Sequence, residues 1–188
     1  MYKIVEFSKV LMKEFINSLN KENITCVDAT LGNGNDSLYL SNLVKDKGFI
    51  YSYDIQKISL ENSQKLFNEH NVTNVFMKLK SHEYIDEDNI DLAIFNLGFL
   101  PGSDKKVKTN KDSSLNAIKA LLPKMNKENM LIIICLYVGH PEGLEESIVI
   151  DEYLKVLPSS KYLVSKYQNY NRPTSPYILT VSYNKRSV

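Results

Sequence analysis

Several short stretches of this chain place acids, amides and glycines where a ligand could be handled. Asp28-Ala29-Thr30-Leu31-Gly32-Asn33-Gly34-Asn35-Asp36 follows an apolar run and leads into a helical pattern. A strand that enters a glycine loop and leaves as a helix lets backbone N–H groups approach a ligand closely. About twenty residues further on, Phe49-Ile50-Tyr51-Ser52-Tyr53 ends in Asp54-Ile55-Gln56, and an acid there can accept hydrogen bonds from both hydroxyls of a ribose. The two stretches predict an adenosine site. Asp28, Ala29, Thr30, Gly32, Asn33, Gly34, Asn35 and Asp36 form its loop, and Asp54, Ile55 and Gln56 form its ribose end. Ser81 and His82 follow the next apolar run and belong to the same edge. Asn96-Leu97-Gly98-Phe99 follows the one after that, and Asn96 is counted among the cofactor-binding residues too. The side-chain oxygen of Asn96 and the carbonyl of Leu97 could hold the N–H groups of an amine while lining up its lone pair for attack. Amine-methylating enzymes often carry N/D-P-P-Y/F at this place; the Asn and the aromatic are present here and both prolines are missing. Asp104 and His140 are nearby groups able to take a proton.

Two adenosine cofactors compete for the loop. The dinucleotide fingerprint G-x-G-x-x-G needs a third glycine where this chain has Ser37. The loop for S-adenosylmethionine (SAM) reads D-x-G-x-G-x-G, and Asp28, Gly32 and Gly34 fit that register with Thr30 in place of the first glycine. SAM has no pyrophosphate, so the third dinucleotide glycine has no task there. The loop favours SAM, with an NAD-binding oxidoreductase as the rival from another class. A ligand-free turn would explain two glycines but not Asp54. Asp36 on its own could also be a helix cap.

These residues need a scaffold. The chain has 188 residues, 43% hydrophobic and 24% charged, which suits one domain, 1–188, with a substantial core. The formal net charge is +1, so a nucleic acid would have to be held by local patches. Lys105, Lys106, Lys108 and Lys111 make such a patch beside the Asn96 stretch, and Arg172 adds a cation near Tyr170. Lysines can meet phosphates and tyrosines can stack on unpaired bases. Cys26 and Cys135 fall in separate apolar runs expected to be strands roughly 10 Å apart, too far for a disulfide. Buried free thiols fit a reducing cytoplasm. Three histidines without H-x-H spacing, and no C-x-x-C, argue against a metal. Charges break the first nineteen residues, so no signal peptide is expected, and Met130–Val138 is too short to span a bilayer.

The apolar periodicity predicts an amphipathic helix over about 5–19 and strands at 25–29, 49–55, 75–79, 91–96 and 130–137. Helices are expected at 36–45, 59–70, 113–123 and 142–157, and a loop over 98–112. Two last strands, 162–170 and 177–183, have no helix between them. Five alternating β/α units predict a parallel sheet with right-handed crossovers, closed by an antiparallel hairpin. The expected fold is therefore α/β: a Rossmann-like class I methyltransferase domain with a seven-stranded, mostly parallel sheet and helices on both faces. That ending, with the last strand antiparallel beside the fifth, separates it from a dinucleotide-binding domain and strengthens SAM over NAD.

The combination of 28–36, Asp54-Ile55-Gln56, Ser81-His82-Glu83, Asn96 to Lys105 and Tyr137-Val138-Gly139-His140-Pro141 resembles the YtqB-like family, small bacterial class I methyltransferases labelled as rRNA methylases. The resemblance runs from about Thr25 to Tyr183, and the chain departs from the family pattern at Phe99, where Tyr is common, and at Glu142, where Gly is common. Members include the tRNA methyltransferase that turns 5-aminomethyluridine at the wobble position into 5-methylaminomethyluridine. The resemblance thus implies a SAM-dependent enzyme acting on the anticodon loop of tRNA, in the cytoplasm, and is compatible with a homodimer. An rRNA or a small-molecule substrate is the alternative within the class.

Overall fold

The computed structural model describes residues 3–98 and 111–185. Asp104, Lys105, Lys106 and Lys108, together with Phe99 and the segment around it, lie outside the described residues, as does the side chain of Lys111. Among the described residues, seven strands and five α-helices follow in the order α1 (Ile4–Ser18), β1 (Ile24–Asp28), α2 (Asn35–Val44), β2 (Gly48–Asp54), α3 (Lys57–Glu69), β3 (Val75–Leu79), β4 (Leu92–Leu97), α4 (Lys111–Leu121), β5 (Leu131–Leu136), α5 (Pro141–Lys155), β6 (Tyr162–Tyr167) and β7 (Tyr177–Tyr183). They form one sheet in the order β3-β2-β1-β4-β5-β7-β6. β1 to β5 run parallel, and β7 is antiparallel to both β5 and β6. The fold is the seven-stranded, mostly parallel Rossmann-like sheet with an antiparallel end that the sequence predicts.

Period-two alternation explains why the central strands are apolar throughout. In β4, Ala93, Phe95 and Leu97 enter one cluster, with Ala117, Ile118 and Leu121 of α4 and Ile150 and Leu154 of α5. Leu92 and Ile94 enter the other, with Met12 and Ile16 of α1 and Leu40 and Val44 of α2. Burial on both faces gives the continuous runs read at β4 and β5.

Two details differ from expectation. Between β3 and β4 only a short 3₁₀ turn, His82–Tyr84, takes the place of a crossover helix, so one of the five β/α units is incomplete. β6 stops at Tyr167 because Gln168 turns the chain: its Nε2 donates to the carbonyls of Pro173 (2.9 Å) and Ser175 (3.1 Å). As expected, β4 separates Cys26 from Cys135, which sit opposite Leu92 and Asn96, four positions apart along it, and both are buried free thiols. Among the described residues, no helix is long and apolar enough to cross a membrane.

Candidate active site

Parallel strands bring their carboxyl ends to one edge, and the polar residues read from the sequence gather there. A cleft of about 770 Å³ opens over β1, β2, β4 and β5, with α5 on one side. Ala29, Thr30, Gly32, Asn33, Asn35 and Asp36 line it from the first loop. Asp54, Ile55, Gln56, Ser81 and His82 line it from the β2 and β3 ends, and Asn96, Leu97 and His140 from the β4 and β5 ends. Two expected loop residues stand behind it instead. Asp28 is fully buried: it points under α2, accepting from Ser37 Oγ at 2.6 Å and from the Thr30 N–H at 3.1 Å. Gly34 takes φ +79 at the N-cap of α2, where a Cβ would lie 2.8 Å from Ser63 Oγ. Its task is the turn, which only glycine adopts without strain.

The ribose end is built around Asp54. Its Oδ2 accepts from the Gly32 N–H at 3.0 Å and its Oδ1 from the Gln56 N–H at 2.8 Å. The carboxylate therefore ties the glycine loop to β2. An ionised carboxylate has about four acceptor positions, so about two remain for a ligand. His82 completes this half. Its Nδ1 lies 3.1 Å from the Ala29 carbonyl, which accepts only, so the proton is on Nδ1 and Nε2 is an acceptor. Nε2 is buried without a hydrogen-bond partner among the described residues. Burial pushes the imidazole pKa down, which keeps the ring neutral. Ser81 caps the turn, its Oγ accepting from the Glu83 N–H at 3.3 Å.

The other half is organised by Asn96. Its backbone N–H donates to Thr30 Oγ1 at 2.8 Å, and its side-chain Nδ2 to Asp36 Oδ2 at 3.3 Å. A carboxylate can only accept, so this bond fixes which end of the amide faces Asp36 and turns Oδ1, an acceptor, away from it. Burial raises the Asp36 pKa, opposed by the Asn96 bond and by the charge of Lys9. Asp28 is raised to about 7, by burial first and then by the neighbouring Asp36 charge. Tyr137, packed against Gly98, is raised to about 12 by burial.

His140 has a structural task that Pro141 hints at. It is the N-cap of α5, its Nδ1 accepting from the Gly143 N–H at 2.9 Å, so that nitrogen is not available to take a proton from a substrate. Arg172 lies in the exposed turn between β6 and β7. β6 runs parallel to β5, so this turn is at the same edge of the sheet as the cleft. Tyr170 there is fully exposed. Glu146 of α5 was not singled out by any motif, yet it lines the cleft and is buried. Its signal was register: it shares the inward face of α5 with Gly143, Ser147, Ile150 and Leu154. Among the described residues, no group of three His, Cys, Asp or Glu side chains is placed to hold a metal ion.

A strand order ending β5-β7-β6, a glycine loop tied to an acid after β2, and an Asn at the end of β4 define a class I, SAM-dependent methyltransferase. The chain belongs to the family described as "Putative rRNA methylase", whose model matches residues 50–182. A "putative rRNA-methylase" from Clostridium thermocellum superposes with a TM-score of 0.88 at 27% identity, over 98% of this chain and 99% of that one. A "putative methyltransferase" from Streptococcus mutans, solved in complex with SAH, gives 0.82 at 29% identity over the same shares. The chain is also 34% identical, over 169 residues, to the chloroplastic tRNA (mnm(5)s(2)U34)-methyltransferase of Arabidopsis thaliana. The match takes in 82% of this chain and spans 61% of the length of that relative.

Proposed function

We propose that the protein methylates the 5-aminomethyl group of a tRNA wobble uridine, using SAM, to give 5-methylaminomethyluridine. The observation that carries the reading is the Asn96 amide, held by Asp36 so that its oxygen is presented at the end of β4. The name of the Arabidopsis relative, a methyltransferase of U34 in tRNA, supports the same substrate.

The residues fit SAM. Asp54 has acceptor capacity left for a ribose diol, and Nε2 of His82, buried without a partner among the described residues, suits a donor such as the exocyclic amine of adenine. Bound there, SAM supplies an electrophilic methyl group. The chain's own task is to deliver a neutral, aligned amine. An alkylamine with a pKa near that of Lys, about 10, is neutral in only about one molecule in a thousand at pH 7. Making it neutral costs up to roughly 4 kcal/mol at 1.36 kcal/mol per unit. A cleft that excludes water and offers acceptors to the N–H groups lowers that cost. Asn96 Oδ1 and the Leu97 carbonyl are those acceptors, and they also aim the lone pair. Lys105, Lys106, Lys108, Lys111 and Arg172 are assigned to phosphates of the anticodon arm.

Mass spectrometry of tRNA and rRNA nucleosides from cells lacking the gene tests the substrate. The expected result is accumulation of 5-aminomethyluridine in tRNA, reversed by the purified protein and SAM. A lost methyl group in rRNA, with wobble uridine unchanged, would refute the tRNA reading in favour of the family's descriptive name.

A further inference from the structure

The wall made by α4 and α5 holds a carboxylate that the mechanism above does not use. Glu146 is only 8% exposed, yet it lines the cleft that contains Asn96 and Leu97. It sits one helical turn after Gly143. That glycine is pressed against the end of β5, where a Cβ would lie 2.2 Å from the Tyr137 carbonyl. Oε1 of Glu146 accepts from Ser114 Oγ at 2.6 Å, across the two helices. Among the described residues, that hydroxyl is the only group that eases the cost of charging it. A buried carboxylate supported by one neutral donor is an expensive feature. Where it faces a ligand cleft, its natural complement is a cation with N–H donors.

We propose that Glu146 is the catalytic residue that recognises the substrate as an ammonium ion and removes its proton. This rests on the alkylamine substrate proposed above. One N–H bond of the ammonium breaks and an O–H bond forms on the Glu146 carboxylate. The amine is left neutral, and the electron pair freed on nitrogen becomes the nucleophile that Asn96 and Leu97 align. A buried, uncharged carboxylic acid is the favoured state after the transfer, so the helix wall gains from taking the proton. Among the described residues, no hydrogen bond links Glu146 to Asp54, Gln56 or His82, so cofactor affinity is expected to be independent of it.

Two substitutions separate this role from a mere tether between helices. Glu146→Gln keeps an acceptor for Ser114 and removes the charge, whereas Ser114→Ala removes the tether and keeps the charge. With anticodon stem-loop RNA carrying 5-aminomethyluridine, Glu146→Gln is expected to lose at least about tenfold in kcat/KM. Its SAM affinity should stay within about threefold, and Ser114→Ala should retain most of the activity. Binding to SAH-loaded protein gives a second readout: the wild type should prefer the amine-bearing RNA over the same RNA with plain uridine, and Glu146→Gln should lose that preference. Equal turnover in Glu146→Gln and wild type, or equal losses in both variants, overturns the proposal. Should the wild type fail to methylate this RNA, the substrate reading falls. The binding arm still decides Glu146, because a wild type without preference for the amine overturns it and a preference abolished by Glu146→Gln upholds it.

Discussion

Replacing Asp54 by Ala removes a side chain that joins the glycine loop to the end of β2, where the ribose is expected. Its two oxygens already accept from Gly32 and Gln56 N–H groups at 3.0 and 2.8 Å. The remaining lone pairs are expected to take the two ribose hydroxyls of SAM. Each charge-assisted hydrogen bond contributes about 1.5–3 kcal/mol, so the pair is worth about 3–6 kcal/mol. At 1.4 kcal/mol per decade, the lower figure corresponds to about a hundredfold in Kd, and partial replacement by water leaves at least about tenfold. Asp54→Asn keeps the shape and one acceptor without the charge, and should fall between the wild type and Asp54→Ala. Isothermal titration with SAH, which cannot react, measures the affinity directly. Circular dichroism checks that each variant is folded. A folded Asp54→Ala protein that binds SAH within about threefold of the wild type would refute the assignment.

Asn96→Ala should lower kcat on aminomethyl RNA by at least about tenfold while changing SAH affinity by less than about threefold, because the group is assigned chiefly to the amine; single-turnover and titration measurements together check this. Changing two of Lys105, Lys106, Lys108 and Lys111 to Ala should weaken tRNA binding and reduce the slope of log affinity against log salt by up to about 2, with SAH affinity unchanged. A double variant with the wild-type slope would mean that the loop is simply solvated. Asp28 predicts a pH effect on stability. Its folded pKa of about 7 lies above its ordinary 3.8, so the folded state holds the extra proton between these values. Stability from this group is therefore full below about 4 and is lost as pH rises towards about 7. Denaturant titrations should show Asp28→Asn with a flatter profile over that window, and an unchanged slope would count against the buried, protonated carboxyl.

Much of this site was readable because it depends on where strands end. Polar residues directly after an apolar run must emerge at the carboxyl edge of a parallel sheet, so Asp54, Ser81, His82 and Asn96 could be placed without knowing the packing. What was missed depends on the direction of a side chain. Asp28 matches the motif position, but alternation puts it on the face of Ile24 and Cys26, under α2, and not towards a ligand. His140 looked like a proton acceptor, although Pro141 at the first helical position marks it as a cap. Glu146 has no motif at all. Its meaning comes from two helices distant in sequence whose meeting buries it beside the cleft, and only its place on the apolar stripe of α5 announced it.

Two departures from common methyltransferase patterns explain one another. The β4 end usually gains stiffness from two prolines after the Asn, since proline fixes its own φ and restricts the residue before it. Here Leu97-Gly98 stands in their place. The stiffness comes from hydrogen bonds that prolines could not all make. The Gly98 N–H donates to the Asn96 carbonyl at 2.9 Å, a donor that a proline at this position would lack. The Asn96 N–H donates to Thr30 Oγ1 at 2.8 Å, and Thr30 is the residue that replaces the first glycine of the SAM loop. A glycine there would leave that N–H without its acceptor. Asp28 in turn holds the Thr30 N–H, so a buried carboxyl, a loop hydroxyl and a strand-end amide form one connected chain. The cofactor loop therefore positions the residue proposed to handle the amine, and on that reading the geometry of methyl transfer is set by bonds between the two halves of the site as well as within each.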